Sequence, residues 1–231
     1  LASPLSVSLM NAFSDDVSVG VAPTFVVLGL FYLVLMMFGA FTIRVPAEGW
    51  KPEGYVAPKV KNKLVSSNHV NVSQAMKTPQ FWLLFWVLCL NVTAGIGVLG
   101  QASVMIQELF SEASVGKQAA IGAGAAAGFV SLLSLFNMGG RFLWSSVSDK
   151  LGRKNTYTIF FVLGSLLYFA VPSIGESGNK ALFIIGFCVI ISMYGGGFAA
   201  IPAYLKDLFG TYQVGAIHGR ILLAWSTAAV I

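Results

Sequence analysis

Between Ser131 and Lys154 the sequence reads SLLSLFNMGGRFLWSSVSDKLGRK. Ser134, Asn137 and Arg141 recur there at offsets of three and four, the spacing that places side chains on one face of a helix. A hydroxyl, an amide and a guanidinium on one face form a donor set for an anion. The planar guanidinium suits a carboxylate in particular, because its N–H groups match the two oxygens. The flanking residues are apolar, and a guanidinium inside a bilayer costs roughly 2.5–3.5 kcal/mol on insertion scales. Arg141 lies eight residues before Asp149, about 12 Å along a helix axis, too far for a direct pair. Two bland alternatives stand beside the anion reading: an Arg that snorkels to the interface, or one paired with a helix outside this sequence.

Other polar residues in apolar surroundings are weaker candidates. Asn91 and Tyr194 either line a cavity or hydrogen-bond a neighbouring helix at about 0.6 kcal/mol, and Gln101 reads as structural. Cys89 and Cys188 sit in apolar runs, where free Cys serves as a small filler. His69 and His218 have no partners at metal-ligand spacing. Asn71-Val72-Ser73 and Asn91-Val92-Thr93 match the glycosylation pattern by chance, one on the cytoplasmic side and the other within a span. With no nucleophile–base pair, phosphate loop or zinc pattern, we expect no catalytic residue, no metal, no cofactor and no enzyme activity.

The elements that must hold these groups are membrane helices. The 231 residues are 56% hydrophobic and 10% charged, with a mean hydropathy of +0.79, whereas a soluble domain carries about 25% charged residues. A soluble enzyme, a nucleic-acid binder and a secreted disulfide scaffold are disfavoured together. Five apolar runs, at 21–43, 81–103, 120–147, 156–174 and 182–205, are long enough to cross a hydrocarbon core of about 30 Å. No Asp or Glu falls inside them to pair with Arg141. Leu1 to Phe13 is apolar but short, without the basic start or cleavage pattern of a signal peptide. Gly219 to Ile231 is a helix-like run cut short. Both end pieces are expected to belong to a longer polytopic protein.

Charge sets the expected orientation. The connection 44–80 carries Arg44, Lys51, Lys59, Lys61, Lys63 and Lys77 against Glu48 and Glu53. Lys150, Arg153, Lys154, Lys206 and Arg220 fall on the same side of the alternating spans. The opposite side has Lys117 and Lys180 and gathers Asp15, Asp16, Glu108, Glu112 and Glu176. The basic side is therefore expected in the cytoplasm. Pro46, Pro52, Pro58 and Pro79 mark 44–80 as a mostly irregular linker. Near its end Val72, Ala75 and Met76 fit one face of a short helix, and Thr78 before Pro79 fits an N-cap. Trp82 and Trp86 follow where interfacial aromatics are expected, as are Tyr157 and Tyr168 in the fourth span. The small residues of Ala123-Gly124-Ala125-Ala126-Ala127-Gly128 predict close helix contact. Gly195-Gly196-Gly197, ahead of Pro202, reads as a packing seam, a hinge or a kink.

Asp149-Lys150-Leu151-Gly152-Arg153-Lys154 resembles the D-x-x-G-R-[KR] loop of the major facilitator superfamily, with Ser145 where the motif usually begins with glycine. Lys77-Thr78-Pro79-Gln80-Phe81-Trp82 and Asn137-Met138-Gly139-Gly140-Arg141 resemble the oxalate:formate antiporter family within it. The resemblance covers nearly the whole chain and implies an all-α polytopic membrane protein, part of a twelve-helix bundle with its site between two halves. It makes 1–43 the end of the N-terminal half (a remnant of helix five, then helix six), 44–80 the central cytoplasmic loop, and 81–231 helices seven to ten with part of eleven. The partners implied are a lipid bilayer, the rest of the N-terminal half and a small organic anion, with no nucleic acid. The setting is a multi-pass protein of the cell (inner) membrane. Arg141 takes the role of the helix-eight arginine that meets the substrate carboxylate, with Asn137, Ser134, Tyr194 and Asn91 as further binding candidates. Asp149, Gly152, Arg153 and Lys154 form the cytoplasmic gating loop. Oxalate-type members carry a helix-eleven lysine that the visible Gly219–Ile231 lacks, which brings formate, lactate or pyruvate alongside oxalate. A carrier of sugars or drugs, or a non-transporting sensor on the same fold, is the alternative.

Overall fold

The computed structural model describes residues 2–15, 18–44, 47, 50–51, 53–54, 70–116 and 120–231. Most of 44–80, including Pro46, Pro52, Pro58, Lys59, Lys61, Lys63 and His69, lies outside the described residues, as do Asp16 and Lys117. The chain divides into two compact units, Leu1–Lys61 and Asn62–Ile231. Among the described residues every regular element is a helix.

The first unit holds α1 (Ala2–Phe13) and α2 (Val21–Thr42). Gly20 makes the turn between them at φ 70°, in the left-handed region that glycine enters freely. The α2 helix is apolar all round, and Phe25, Leu30, Met36 and Phe41 are all exposed. A helix of that kind needs lipid or protein on every side.

The second unit holds α3 (Val72–Ala75), α4 (Pro79–Leu109), α5 (Glu112–Val115), α6 (Ala123–Leu151), α7 (Arg153–Glu176), α8 (Lys180–Phe209), α9 (Val214–Ile221) and α10 (Leu223–Val230). With α2, the helices α4, α6, α7 and α8 are long and apolar enough to cross a membrane, and they coincide with the five expected runs. Each of these four extends beyond its run at one or both ends, since backbone hydrogen bonding does not stop where the apolar stretch does. The last helical stretch likewise starts at Val214 rather than Gly219. The entry to α4 follows the sequence reading. Asn71 and Gln74 form a capping box on α3, Ala75 is fully buried, and the Thr78 hydroxyl accepts from Phe81 N. Trp82 Nε1 closes the corner by donating to the Met76 carbonyl at 3.0 Å.

Helix α8 is the centre of the unit: 67% of its most apolar stretch is buried, against 39% for α4 and 22% for α6 and α7. It sits there because its glycines let two neighbours approach. A Cβ on Gly195 would collide with the Asn137 carbonyl of α6, one on Gly196 with the Trp144 ring, and one on Gly197 with the Asn91 amide of α4. From the facing side, a Cβ on Gly140 would strike the Ser192 backbone. The helix runs unbroken from Lys180 to Phe209, and the triplet packs against α6 and α4 along it. In lipid such close approach supplies the dispersion that the hydrophobic effect cannot. The Ala123–Gly128 run makes less contact among the described residues. Only Ala126 in it is buried, and Gly124 and Gly128 have nothing near their Cβ positions among the described residues.

At one end of the bundle Phe110, Phe129, Phe183 and Phe187 interlock, with centroids between 4.8 and 6.3 Å apart. At the other end Gly152 alone joins α6 to α7, at φ 85°. A residue with a Cβ would be strained in that conformation.

Candidate functional site

Ser134, Asn137 and Arg141 share a recess of about 230 Å³ on α6, bordered also by Met138. The helix brings them into line by its own periodicity. Arg141 lies six residues inside the end of the apolar run at residue 147, about 9 Å along the helix, within a bilayer core of about 30 Å. Its side chain is exposed and, among the described residues, pairs with no acid. The Ser134 hydroxyl donates to the Val130 carbonyl at 3.0 Å, leaving its oxygen toward the recess. Asn137 is half-buried, and its Oδ1 is buried without a hydrogen-bond partner.

Asn91 and Tyr194 are placed apart from this group. They line a separate, mostly apolar cavity of about 480 Å³ between α4, α7 and α8, with Phe160, Ser165, Tyr168 and Met193. Asn91 is buried, packs on Gly197 and donates from Nδ2 to the Tyr194 carbonyl at 3.5 Å. The Tyr194 ring lies over Gly95 and edge-on to Phe198 at 5.3 Å. Two aromatic residues expected at the interface also hydrogen-bond to neighbouring helices. Tyr157 is buried and donates to the Gly197 carbonyl at 2.6 Å. Tyr168 donates to the Ala94 carbonyl at 2.7 Å.

The loop residues form a second constellation. Asp149, in the last turn of α6, meets Arg153 at 2.5 Å across an i,i+4 step. Arg153 Nε reaches Asp207 Oδ2 near the end of α8 at 3.1 Å, and a further N–H of the same guanidinium reaches the buried Ser148 hydroxyl. One side chain thereby ties the ends of three helices. Gly152 makes this possible by turning the chain in a single residue. Lys154 is exposed and points away from that network, toward a crevice it shares with Gln80 and Tyr204. Asp207 and Ser148 are absent from the sequence-level motif. The signal for Asp207 was its place beside Lys206 at the end of an apolar run, on the same side as the loop.

A cation inside an apolar span, an apolar scaffold and a one-glycine charged loop fit a membrane carrier. The sequence matches the Major Facilitator Superfamily over residues 1–231. The chain belongs to that superfamily. Among curated major facilitator relatives, it is similar to the oxalate:formate antiporter of Oxalobacter formigenes, with 31% identity over 91% of this chain and 46% of the relative. It is 26% identical to the uncharacterized MFS-type transporter YhjX of Escherichia coli (strain K12), over 92% of this chain and 48% of the relative. Apicoplast pyruvate carrier 1 of Toxoplasma gondii is 26% identical over 85% of this chain and 38% of the relative. The chain spans about half the length of the first two. It is thus an integral membrane protein of a transporter family that moves small molecules, and the family's members are not enzymes.

Proposed function

We propose that this major facilitator chain serves transport of small organic carboxylates by alternating access, as an antiporter or facilitator, with Arg141 gripping the carboxylate. The observation that carries the proposal is the Arg141 guanidinium itself, set about 9 Å inside the apolar run of α6 and pairing with no described acid. Keeping such a charge in lipid is costly, and an anionic substrate repays it only when bound. Asn137 and Ser134 border the same recess and complete the first contacts. Relatives named for oxalate, formate and pyruvate agree with this chemistry.

In this proposal 1–43 ends the first half of a two-half carrier, 44–80 is the central cytoplasmic loop, and 81–231 belongs to the second half. Asn91 and Tyr194, in their separate cavity, are not part of this contact set, and the Asp149–Gly152–Arg153–Lys154 loop closes the cytoplasmic side of the site at the cell membrane. The test is uptake by cells expressing the full gene product against a panel of carboxylates and a panel of sugars, with Arg141→Gln in parallel. Carboxylate uptake lost in Arg141→Gln is the expected result. Sugar uptake, or carboxylate uptake indifferent to Arg141, overturns it.

A further inference from the structure

We propose that Asn137 reads the group next to the substrate carboxylate, favouring a hydrogen-bond acceptor there, as in a 2-oxo acid, and that Gly195 fixes which end of its amide faces the substrate. The inference rests on Arg141 being the carboxylate site. Asn137 Oδ1 is the one buried side-chain N or O atom without a hydrogen-bond partner among the described residues. The Cβ position of Gly195 falls 2.6 Å from that oxygen and 2.1 Å from the Asn137 main-chain oxygen, so the Gly195 Cα–H side faces both oxygens. A carbonyl oxygen accepts such a C–H contact weakly. An NH₂ group turned the same way would face a C–H with no acceptor at all. The inward oxygen is the favoured orientation, and it turns Nδ2 outward.

Nδ2 makes no hydrogen bond to a described residue and is not among the buried unpartnered atoms, so it faces the recess that Asn137 borders. One turn further along α6, Arg141 offers only donors. Ser134 has its hydroxyl hydrogen on Val130. The recess therefore holds a guanidinium and an amide NH₂ side by side and no carboxylate to receive a substrate donor. A carboxylate at Arg141 with a carbonyl oxygen beside it satisfies both donors. A plain alkyl acid leaves Nδ2 unpaired, and a 2-ammonio acid brings a cation against a guanidinium.

The experiment uses the purified full-length gene product and reads the concentrations of pyruvate and of propionate that give half-maximal thermal stabilisation. Both acids bring one carboxylate and three carbons, and only pyruvate has the adjacent oxygen. The parent is expected to prefer pyruvate. Asn137→Ala is expected to lose that preference through a roughly 3- to 10-fold weaker response to pyruvate, the scale of one hydrogen bond, with propionate unchanged. Asn137→Ser, which keeps a short donor, is expected to fall between them and serves if the alanine variant folds poorly. A parent without preference, or an equal loss for both acids in folded Asn137 variants, overturns the inference. Arg141→Gln separates the two layers. If it leaves both acids equally able to stabilise the protein, the carboxylate site itself is wrong. If it abolishes both responses while Asn137→Ala preserves the pyruvate preference, only the Asn137 reading falls.

Discussion

Arg153 and Asp207, at the ends of α7 and α8, meet at 3.1 Å with side chains only 10% and 13% exposed. The partner supplied by the motif itself, Asp149, is 65% exposed. The two carboxylates therefore differ in what they contribute. Removing one member of a largely buried pair strands the other charge and costs about 3–5 kcal/mol, whereas a solvated i,i+4 pair contributes less than about 1 kcal/mol.

Asp207→Ala should accordingly destabilise the purified protein far more than Asp149→Ala. Thermal unfolding of the two variants reads the difference directly. The exchange Arg153→Asp with Asp207→Arg should recover part of the loss, as coupled neighbours do in a double-mutant cycle. Equal midpoints for Asp207→Ala and Asp149→Ala would mean that the tie to α8 carries no stability.

The glycine seam gives a second contrast. Gly140→Ala places a methyl group against the Ser192 backbone, while Gly128→Ala meets nothing among the described residues. Backbone cannot step aside as a side-chain tip can, and overpacking costs about 1–3 kcal/mol. Gly140→Ala should lower the yield of monodisperse protein on size-exclusion chromatography, with Gly128→Ala unchanged or slightly improved by its better helix propensity. Tolerance of both would remove the seam as the reason α8 is central.

These contrasts mark where the sequence was legible. The five apolar runs, the Thr78 cap and the shared face of Ser134, Asn137 and Arg141 all follow from local spacing, and the helices reproduce them. The pairing of Arg153 with Asp207 spans 54 residues, and periodicity carries no information on which helix ends meet. The register that sets Gly195 against Asn137 is hidden for the same reason. Tyr157 looked interfacial because it opens a span near basic residues, yet its hydroxyl finds the Gly197 carbonyl inside the bundle. Composition singled out the Ala123–Gly128 run, of which Ala126 is buried, but could not tell that the tightest approaches among the described residues fall at single glycines facing backbone or side chains.

Orientation follows from charge. With six basic residues against two acidic ones in 44–80, a cysteine placed at Lys61 should resist an impermeant thiol reagent in intact cells and react after permeabilisation. Ready labelling from outside would invert the assignment, and with it the side on which the Arg153 network closes.

Proton coupling should not run through a carboxylate of these spans. Glu108 is an exposed residue at the last turn of α4, and Asp149 and Asp207 already pair with Arg153. Glu108→Gln should leave both substrate uptake and its pH dependence as in the parent. Loss of proton-driven accumulation with substrate binding intact would place a coupling acid there.

Arg141 yields the test with the widest consequence. Arg141→Lys keeps the charge and loses the planar fork, so transport should weaken while the protein folds. Arg141→Gln should lose more, because a charge-assisted hydrogen bond is about twice as strong as a neutral one. A structural ion pair with a helix outside this sequence predicts another pattern. Removing the guanidinium would then strand a buried acid and lower thermal stability in the absence of any substrate. A binding role leaves the ligand-free midpoint near the parent or raises it, since an unpaired cation is gone from the apolar span. Thermal unfolding with and without a transported carboxylate separates the cases. If Arg141→Gln is as stable as the parent and is still stabilised by the same carboxylate at the same concentration, Arg141 does not bind it.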